Sequence, residues 1–175
     1  SKPNFSFIIA DYSQIELRVL AHLSQDSTMI EILKNKKSDI HSETASRIFN
    51  VPIGDVTSDM RRKAKEVNFG LIYGMEAFGL SKSLDIEQKE ASQLIESYFS
   101  QFPEIKGFLD NIVLKATKDS FTETLIGRKR YIRELNSSNF QVKAAGKRIA
   151  MNAPIQGTAA DIMKIAMIKV LHKIK

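Results

Sequence analysis

Four side chains in the middle of the chain have the types and the spacing to bind a long ligand with one anionic end and one flat end. Two cations are followed by two aromatic residues, each four positions after the last: Arg61, Lys65, Phe69 and Tyr73. In a helix such a row lies on one face, drifting by about 120° while it rises about 18 Å. A nucleoside triphosphate has this shape and charge distribution. The row equally fits a solvated basic face whose aromatic members belong to a core, and the spacing leaves both interpretations open.

The helix that carries this row is predicted to begin at Thr57 or Ser58 and to end, or to pass to a following helix, near Gly74 or Gly79. Its two cations lie early, where the positive end of the helix dipole mildly disfavours basic side chains. An anion bound there would offset this unfavourable interaction, because the free N–H groups, the helix dipole and the basic side chains would all stabilise its negative charge.

A carboxylate also stands where a predicted strand gives way to a predicted helix. Residues 5–10 are aromatic and β-branched and favour a β-strand, and Ser13 is predicted to cap a helix over residues 14–24. Asp11 lies at this junction, where a metal could be held rigidly. An aspartate here can also serve only to satisfy backbone donors.

The segment 61–74 resembles the fingers-helix motif of family A DNA polymerases, the DNA polymerase I type. Six of its fourteen positions match that motif, and the resemblance extends along nearly the whole chain. It implies that Arg61 and Lys65 hold the incoming triphosphate and act in catalysis. It also implies that Phe69 packs on the sugar and base, and that Tyr73 closes the pocket against the template.

The segment 11–18 resembles the first palm motif of the same family. The resemblance implies that Asp11 binds both catalytic Mg²⁺ ions and that the Tyr12 carbonyl adds a ligand, which suits the preference of Mg²⁺ for hard oxygen ligands. Gln14, in the same motif, is predicted to contact the nucleotide.

Two further positions are assigned to the nucleotide by resemblance. Glu16 is expected to pack under the incoming sugar and to exclude a ribose 2′-OH, braced by Tyr73, which argues for deoxyribonucleotides. His41 matches a histidine near the triphosphate, although by itself it also fits a histidine at a helix start or on the surface.

The DNA-binding assignments lie in the last third of the chain. Residues 121–125 and 131–132 flank a basic tip and predict a hairpin. The tip residue Arg128 is either solvated or in contact with the DNA backbone, which positions a duplex without reading its sequence.

Arg148, Asn152 and Gln156 resemble family positions that touch primer and template near the growing end. Every correct base pair presents acceptors in the minor groove, so a donor there can test pair geometry without reading sequence. The alternative is ordinary capping and loop polarity around Pro154. A final helix is predicted over residues 158–174, and earlier ones over 28–34, 39–49 and 87–102, with another after Pro103.

The composition sets broad limits. With 175 residues the chain can form one domain with a sizeable core, and its net charge of +6 suits a polyanionic partner. It has no cysteine, which is compatible with a reducing cytoplasm, and no signal peptide or apolar run of membrane-spanning length.

These observations predict a mainly α fold with a few short strands (α+β), corresponding to the fingers and part of the palm of a right-hand polymerase. Residues 1–26 are assigned to the partial palm, 27–135 to the fingers helices and basic hairpin, and 136–175 to helices that return to the palm. The expected function is template-directed DNA synthesis with two Mg²⁺ ions, primer–template DNA and dNTPs.

The chain contains no His-Asp-Glu turn, which in the family carries the second catalytic carboxylate. We therefore expect a fragment, inactive alone, of an active parent polymerase. The strand over residues 5–10, without its palm partners, is expected to favour self-association.

Three alternatives stay open. A single-subunit RNA polymerase fragment shares the architecture, but Glu16 opposes it. A non-catalytic, basic helical module that only binds DNA would leave Asp11 and the row on the central helix unused. A helical interaction domain without a nucleic-acid partner would show no salt-sensitive DNA affinity.

Overall fold

Helices dominate the fold. The computed structural model describes residues 6, 8–35 and 38–174, which form eight α-helices, two 3₁₀ turns and one hairpin. The helices are α1 (Ile15–Ser24), α2 (Ser27–Lys34), α3 (Ile40–Ile48), α4 (Ser58–Ile72), α5 (Ala77–Leu84), α6 (Gln88–Gln101), α7 (Pro103–Asp119) and α8 (Phe140–Ile174). The strands are β1 (Phe121–Glu123) and β2 (Lys129–Tyr131), and the 3₁₀ turns are Ile53–Asp55 and Arg133–Asn136. The predicted mainly α class is confirmed.

Short polar side chains set the starts of three helices. Asp26, Asp39 and Thr57 each accept a hydrogen bond from a backbone N–H three residues on, at 2.8, 2.9 and 3.2 Å, which satisfies a donor that the helix leaves free. The predicted cap of α1 is wrong. Gln14 stands at that position in a left-handed conformation (φ 55°) without a side-chain capping bond, and the carbonyl of Ser13 instead accepts from the Arg18 guanidinium.

The core is built from the inward faces of these helices. α3 packs against α4 and α5 against α6, while α8 contacts α1 and α7. The largest fully buried side chains include Leu17, Leu20, Met29, Ile72, Tyr98, Phe102, Ile105 and Ile155. Because α4 buries Ala64, Val67 and Leu71, its opposite side faces outward.

The predicted hairpin is confirmed. Phe121 pairs with Tyr131 and Glu123 with Lys129 in an antiparallel register, and Gly127 takes a positive φ (83°) in the connecting turn. The Leu125 N–H donates to the Thr158 hydroxyl at 3.0 Å, so the hairpin is fastened to α8.

Two further local predictions are wrong. The last helix was predicted to begin near residue 158, but α8 begins at Phe140 and runs unbroken through Pro154. Pro154 has no N–H and leaves one carbonyl of the helix without its partner, and burial of Pro154 and Ile155 outweighs this cost. The prediction that Gly74 or Gly79 would end the helix is confirmed at Gly74, which follows α4 with φ 68°, while Gly79 lies inside α5.

The second concerns the strand over residues 5–10. Phe5 and Phe7 lie outside the described residues. Ile8 and Ile9 are each 94% exposed and belong to no strand, because the sheet formed by the described residues consists of β1 and β2 alone and offers them no partner. Among the described helices, none combines the length and the apolar character that crossing a membrane requires.

Candidate active site

The outward face of α4 carries the cationic and aromatic row. Arg61 and Lys65 are exposed and Phe69 is half-buried, while Tyr73, 36% exposed, is the C-terminal cap of the helix. The helical geometry that the row requires is therefore present, with its two cations in the N-terminal half of α4.

Arg61 is held by a carboxylate that sequence reasoning did not single out. Its Nε and Nη2 donate to the two carboxylate oxygens of Asp39 at 2.8 and 3.1 Å. Asp39 also accepts from the backbone N–H and the hydroxyl of Ser42 while it caps α3. Burial tends to raise the pKa of Asp39, but hydrogen bonds from Arg61 and Ser42 lower it to about 2. The guanidinium is thus positioned at the N-terminus of α3 by a charge-assisted bidentate pair.

His41, in the first turn of α3, is buried and not on the surface. Its Nδ1 lies 3.2 Å from the Asn68 side-chain nitrogen and its Nε2 lies 3.4 Å from the Gln14 amide. The ring centroid is 5.7 Å from that of Phe69. Burial lowers the pKa of His41, Asp39 opposes this, and the nearby cations of α4 add to it. The ring therefore joins α1, α3 and α4 as a neutral group.

Tyr73 brings three parts of the chain together. Its hydroxyl donates to Glu16 Oε2 at 2.9 Å, which links the end of α4 to the first turn of α1. Burial raises the pKa of Tyr73, Glu16 raises it further, and the side chain of Gln156 on α8 acts in the opposite direction. Glu16 and Gln14 thus border the aromatic end of the row.

Asp11 and Tyr12 precede α1 and are exposed. Together with the C-terminal half of α8 they line an open groove of about 810 Å³. A carboxylate and a backbone carbonyl are the hard oxygen donors that suit a divalent cation. Within the described part of the chain, no three histidine or acidic side chains converge on one point.

The three predicted DNA contacts on α8 share one face at i, i+4 and i+8. Arg148 and Gln156 are exposed, and Asn152 is half-buried with its Oδ1 buried and without a hydrogen-bond partner. Arg148 lies against the turn after Tyr73, since a Cβ built on Gly74 would be 2.9 Å from the Arg148 Cγ.

Arg128, in the hairpin turn before β2, contacts another part of α8. Its Nε donates to the Asp161 carboxylate at 2.9 Å and its Nη2 donates to the Gly157 carbonyl at 3.1 Å. Asp161 is only 5% exposed. Burial tends to raise the pKa of Asp161, while Thr124 and Arg128 lower it.

Sequence reasoning missed Asp39, Thr44 and Asn68. Thr44 and Asn68 are buried polar side chains on facing helices, and Asp39 is the N-cap of α3. Each of these features becomes informative only when the opposing helix is known.

Comparison with known proteins gives consistent likenesses. The family model described as DNA polymerase family A matches residues 1–175. The chain is 52% identical over 168 residues to DNA polymerase I of Caldicellulosiruptor bescii, covering 96% of this chain and 20% of that protein. It is 50% identical over 168 residues to DNA polymerase I of Geobacillus stearothermophilus, covering 96% and 19%.

Among solved structures, the polymerase domain of Pol1 from M. smegmatis, in complex with DNA primer–template and dNTP, superposes with a TM-score of 0.88 at 50% identity. That match covers 94% of this chain and 29% of the other. The chain thus spans about a fifth of the length of the curated relatives it matches.

Proposed function

Because the chain belongs to DNA polymerase family A, we propose that it supplies the binding site for the incoming deoxynucleoside triphosphate in a parent protein that performs template-directed DNA synthesis. The observation that carries this proposal is the convergence of the α4 row with the first turn of α1 through the bond between Tyr73 and Glu16. A basic row alone would suit any anion. A basic row that ends beside a carboxylate, held by a hydrogen bond from an aromatic hydroxyl, suits a triphosphate whose sugar must be recognised as deoxyribose and not ribose.

The cationic end of the row would neutralise the phosphates. Arg61 and Lys65 are exposed on adjacent turns of α4, and fixed cations stabilise the charge that develops on a transferring phosphoryl group and its leaving pyrophosphate. The bidentate bond to Asp39 holds the Arg61 guanidinium in place before any ligand arrives, which reduces the entropy lost on binding.

The other end of the row would bind the sugar and base. Phe69 offers a flat, half-buried ring, and Glu16 presents a carboxylate that a ribose 2′-OH would have to displace. Gln14 and His41 line the side between these two ends. Movement of α4 would break or make these contacts together, so that closure of the site on a matched pair would select the correct nucleotide.

A divalent metal ion would complete the site, and we propose Mg²⁺. Asp11 and the Tyr12 carbonyl would hold it, and when bound it would neutralise phosphate charge and activate the attacking hydroxyl. The residues present fit this role in type, since both offer hard oxygen donors, while a further carboxylate is expected from outside this chain.

Primer–template DNA would lie along α8. Arg148, Asn152 and Gln156 share one face, and the exposed side chains of Arg148 and Gln156 can donate hydrogen bonds to acceptors in the minor groove. Arg128 would contact the DNA backbone with the part of its guanidinium left over by Asp161, since half of that side chain stays exposed.

We further assign residues 1–26 to part of the palm, 27–135 to the fingers and 136–175 to helices that lead back to the palm. We also propose a cytoplasmic location, with which the absence of cysteine from the sequence is compatible. The exposed isoleucines of residues 8–9 and the apolar end of α8 support self-association of the isolated chain, which light scattering at high concentration would detect as species larger than a monomer.

The test is dNTP incorporation by the complete protein with Lys65→Ala. Turnover should fall by about 10²-fold or more while duplex affinity changes less than threefold, because Lys65 would act on the triphosphate and not on DNA. Lys63→Ala is the matched control: Lys63 lies two residues away on another face of α4 and pairs with Glu90 at 2.8 Å. Equal activities of the two variants would remove Lys65 from the mechanism.

The rival functions are not favoured. The similar proteins named above are DNA polymerases. Relative incorporation of dNTP and rNTP by the parent separates DNA synthesis from RNA synthesis. Binding of dNTP separates either from a module that only binds duplex DNA or one that binds no nucleic acid.

A further inference from the structure

We infer that Asn68 is a positioning residue that fixes His41 in the tautomer with its single ring proton on Nε2. Asn68 is on the inward side of α4, is fully buried, and was assigned no role by its position in the sequence. The functional part of the inference rests on the proposed triphosphate site, whereas the tautomer itself does not.

The orientation of the Asn68 amide follows from Thr44, one turn after His41 on α3. The Thr44 hydroxyl donates its only proton to the Ile40 carbonyl at 2.8 Å. Its oxygen can then only accept, and the Asn68 side-chain atom 3.1 Å away must therefore be the amide nitrogen. Both side chains have zero exposure, so bulk water offers no alternative partner.

The same amide nitrogen lies 3.2 Å from His41 Nδ1. It carries two hydrogens, and one is directed to Thr44, so the other is available to the ring. An N–H donor facing Nδ1 requires a lone pair there. A neutral imidazole with an unprotonated Nδ1 carries its proton on Nε2. The hydrogen bonds of Thr44 and Asn68 thus determine which nitrogen of the His41 ring is protonated.

The surroundings keep the ring neutral. His41 is 2% exposed, and two cations of α4, Arg61 and Lys65, face it. Burial and both cations lower the pKa of His41, and Asp39 raises it. A doubly protonated ring would place an Nδ1–H against the N–H of Asn68. The buried amide N–H would then have no acceptor, which is unfavourable.

The consequence appears at the other edge of the ring. Nε2 lies 3.4 Å from the side-chain nitrogen of Gln14. A protonated Nε2 needs an acceptor, so we infer that the Gln14 amide is turned to present its oxygen to the ring. His41 therefore offers a neutral hydrogen-bond donor between the start of α1 and the cationic row. A phosphate oxygen can replace the Gln14 oxygen there. The opposite tautomer would turn a lone pair toward the phosphates and repel them.

The direct test is the ¹⁵N spectrum of ring-labelled histidine in the complete protein without nucleotide, with His41 assigned by its absence in His41→Gln. We expect a lone-pair-bearing Nδ1 and a protonated Nε2. Asn68→Asp, of equal shape, replaces the donor with an acceptor and should move the proton to Nδ1. A protonated Nδ1 in the unmodified protein would overturn the inference. This readout needs no nucleotide binding, so it stands apart from failure of the proposed function.

The functional test compares Asn68→Asp with Asn68→Ala. If Asn68 acts through the tautomer, the aspartate variant should raise the KM for dNTP at least tenfold and exceed the effect of the alanine variant. If Asn68 only fills space, the alanine variant, which loses more volume, should be the worse of the two.

A double-mutant cycle completes the argument. In the His41→Gln background, Asn68→Asp should change the KM less than threefold, because its partner is gone. A full tenfold effect in that background would show that Asn68 acts independently of His41 and would overturn the positioning role. Thr44→Ser, which keeps the hydroxyl, should leave both the spectrum and the KM unchanged.

Discussion

The hydroxyl of Tyr73 donates to a carboxylate oxygen of Glu16 at 2.9 Å, across 57 positions of the chain. The bond joins the last residue of the α4 row to the first turn of α1. Since Glu16 is fixed by α1 and Tyr73 by α4, any rotation of α4 relative to α1 must stretch or break it. The position of the Glu16 carboxylate, which would exclude a ribose 2′-OH, is therefore coupled to α4, the helix that would bind the triphosphate.

Truncation of Glu16 should relax selection against ribonucleotides. In the complete protein, Glu16→Ala removes the group that a 2′-OH would displace, and the preference for dNTP over rNTP should fall roughly 10–100-fold, about 1.4–2.8 kcal/mol. Competitive incorporation with paired nucleotides measures this ratio.

Tyr73→Phe distinguishes the contribution of the Glu16 carboxylate from that of the Tyr73 hydroxyl that holds it. It removes only the hydroxyl, so Glu16 stays but is less constrained, and the preference should fall less than in Glu16→Ala. If both variants keep the preference of the unmodified protein for dNTP over rNTP, Glu16 does not exclude the ribose 2′-OH.

A buried carboxylate should give the fold an unusual pH dependence. Asp26 is fully buried at the start of α2; burial raises its pKa to about 6, the Glu104 carboxylate adds to this, and the Met29 N–H opposes it. A folded-state pKa above the unfolded value near 3.8 means that the native state binds the proton more tightly. The stability it contributes is complete below about pH 4 and is lost as the pH rises through about 6.

Asp26→Asn should therefore stabilise the protein at pH 7–8 by about 1–2 kcal/mol and leave it unchanged near pH 4. The amide oxygen can still accept from the Met29 N–H, so the cap of α2 is kept. Urea denaturation across this pH range measures the difference. A constant offset at all pH values would assign the effect to packing instead of to the proton.

Asp39→Asn is the matched control of opposite sign. The pKa of Asp39 is lowered to about 2, so its contribution is present above pH 4 and disappears as the pH falls from 4 to 2. This variant should be destabilised at neutral pH, where Asp26→Asn is stabilised.

The sequence was sufficient for features that depend on local periodicity. The i, i+4 spacing predicted that the row lies on one face of α4, and two strand-like segments flanking a glycine-containing basic tip predicted the hairpin of β1 and β2. Each is decided within fifteen residues, where backbone geometry dominates.

Features that depend on the neighbouring helix were not predictable. Asp39 and Arg61 are 22 positions apart, and His41 and Asn68 are 27 apart, so their pairing requires the packing of α3 on α4. Pro154 also depends on its neighbours. A proline by itself favours a break in a helix, but burial of Pro154 against the core outweighs that preference.

Arg128 should contribute to stability through Asp161. Arg128→Ala would leave the Asp161 carboxylate, which is 5% exposed, without its cation, so the midpoint of chemical denaturation should fall. Arg128→Ala combined with Asp161→Asn should recover most of this loss, because no charge then stays buried.

Arg130→Ala supplies the control for that prediction. Arg130 lies in β2 on the same hairpin, is exposed, and forms no ion pair with any described residue. Its loss should change stability by less than about 0.5 kcal/mol. Equal destabilisation by both variants would contradict a specific role for the Arg128–Asp161 pair.

The turn after α4 should tolerate no side chain. Gly74 has φ 68°, and a Cβ there would lie 2.9 Å from Cγ and 3.2 Å from Cα of Arg148. Gly74→Ala should therefore destabilise the protein by about 1–3 kcal/mol, from the left-handed backbone and from displacement of Arg148. Weaker primer–template binding should accompany it if Arg148 contacts DNA.

Gly107→Ala is the matched glycine control, since Gly107 lies inside α7 and a Cβ there meets nothing within 4 Å. Alanine is the better helix former, so this variant should be more stable by up to about 1 kcal/mol. Thermal denaturation and duplex titration of the two variants, side by side, separate the general cost of adding a methyl group from the specific contact. A Gly74→Ala variant as stable as the unmodified protein, with unchanged duplex affinity, would mean that the turn after α4 does not constrain Arg148. The proposed contact of Arg148 with DNA would then lose the structural support that this turn gives it.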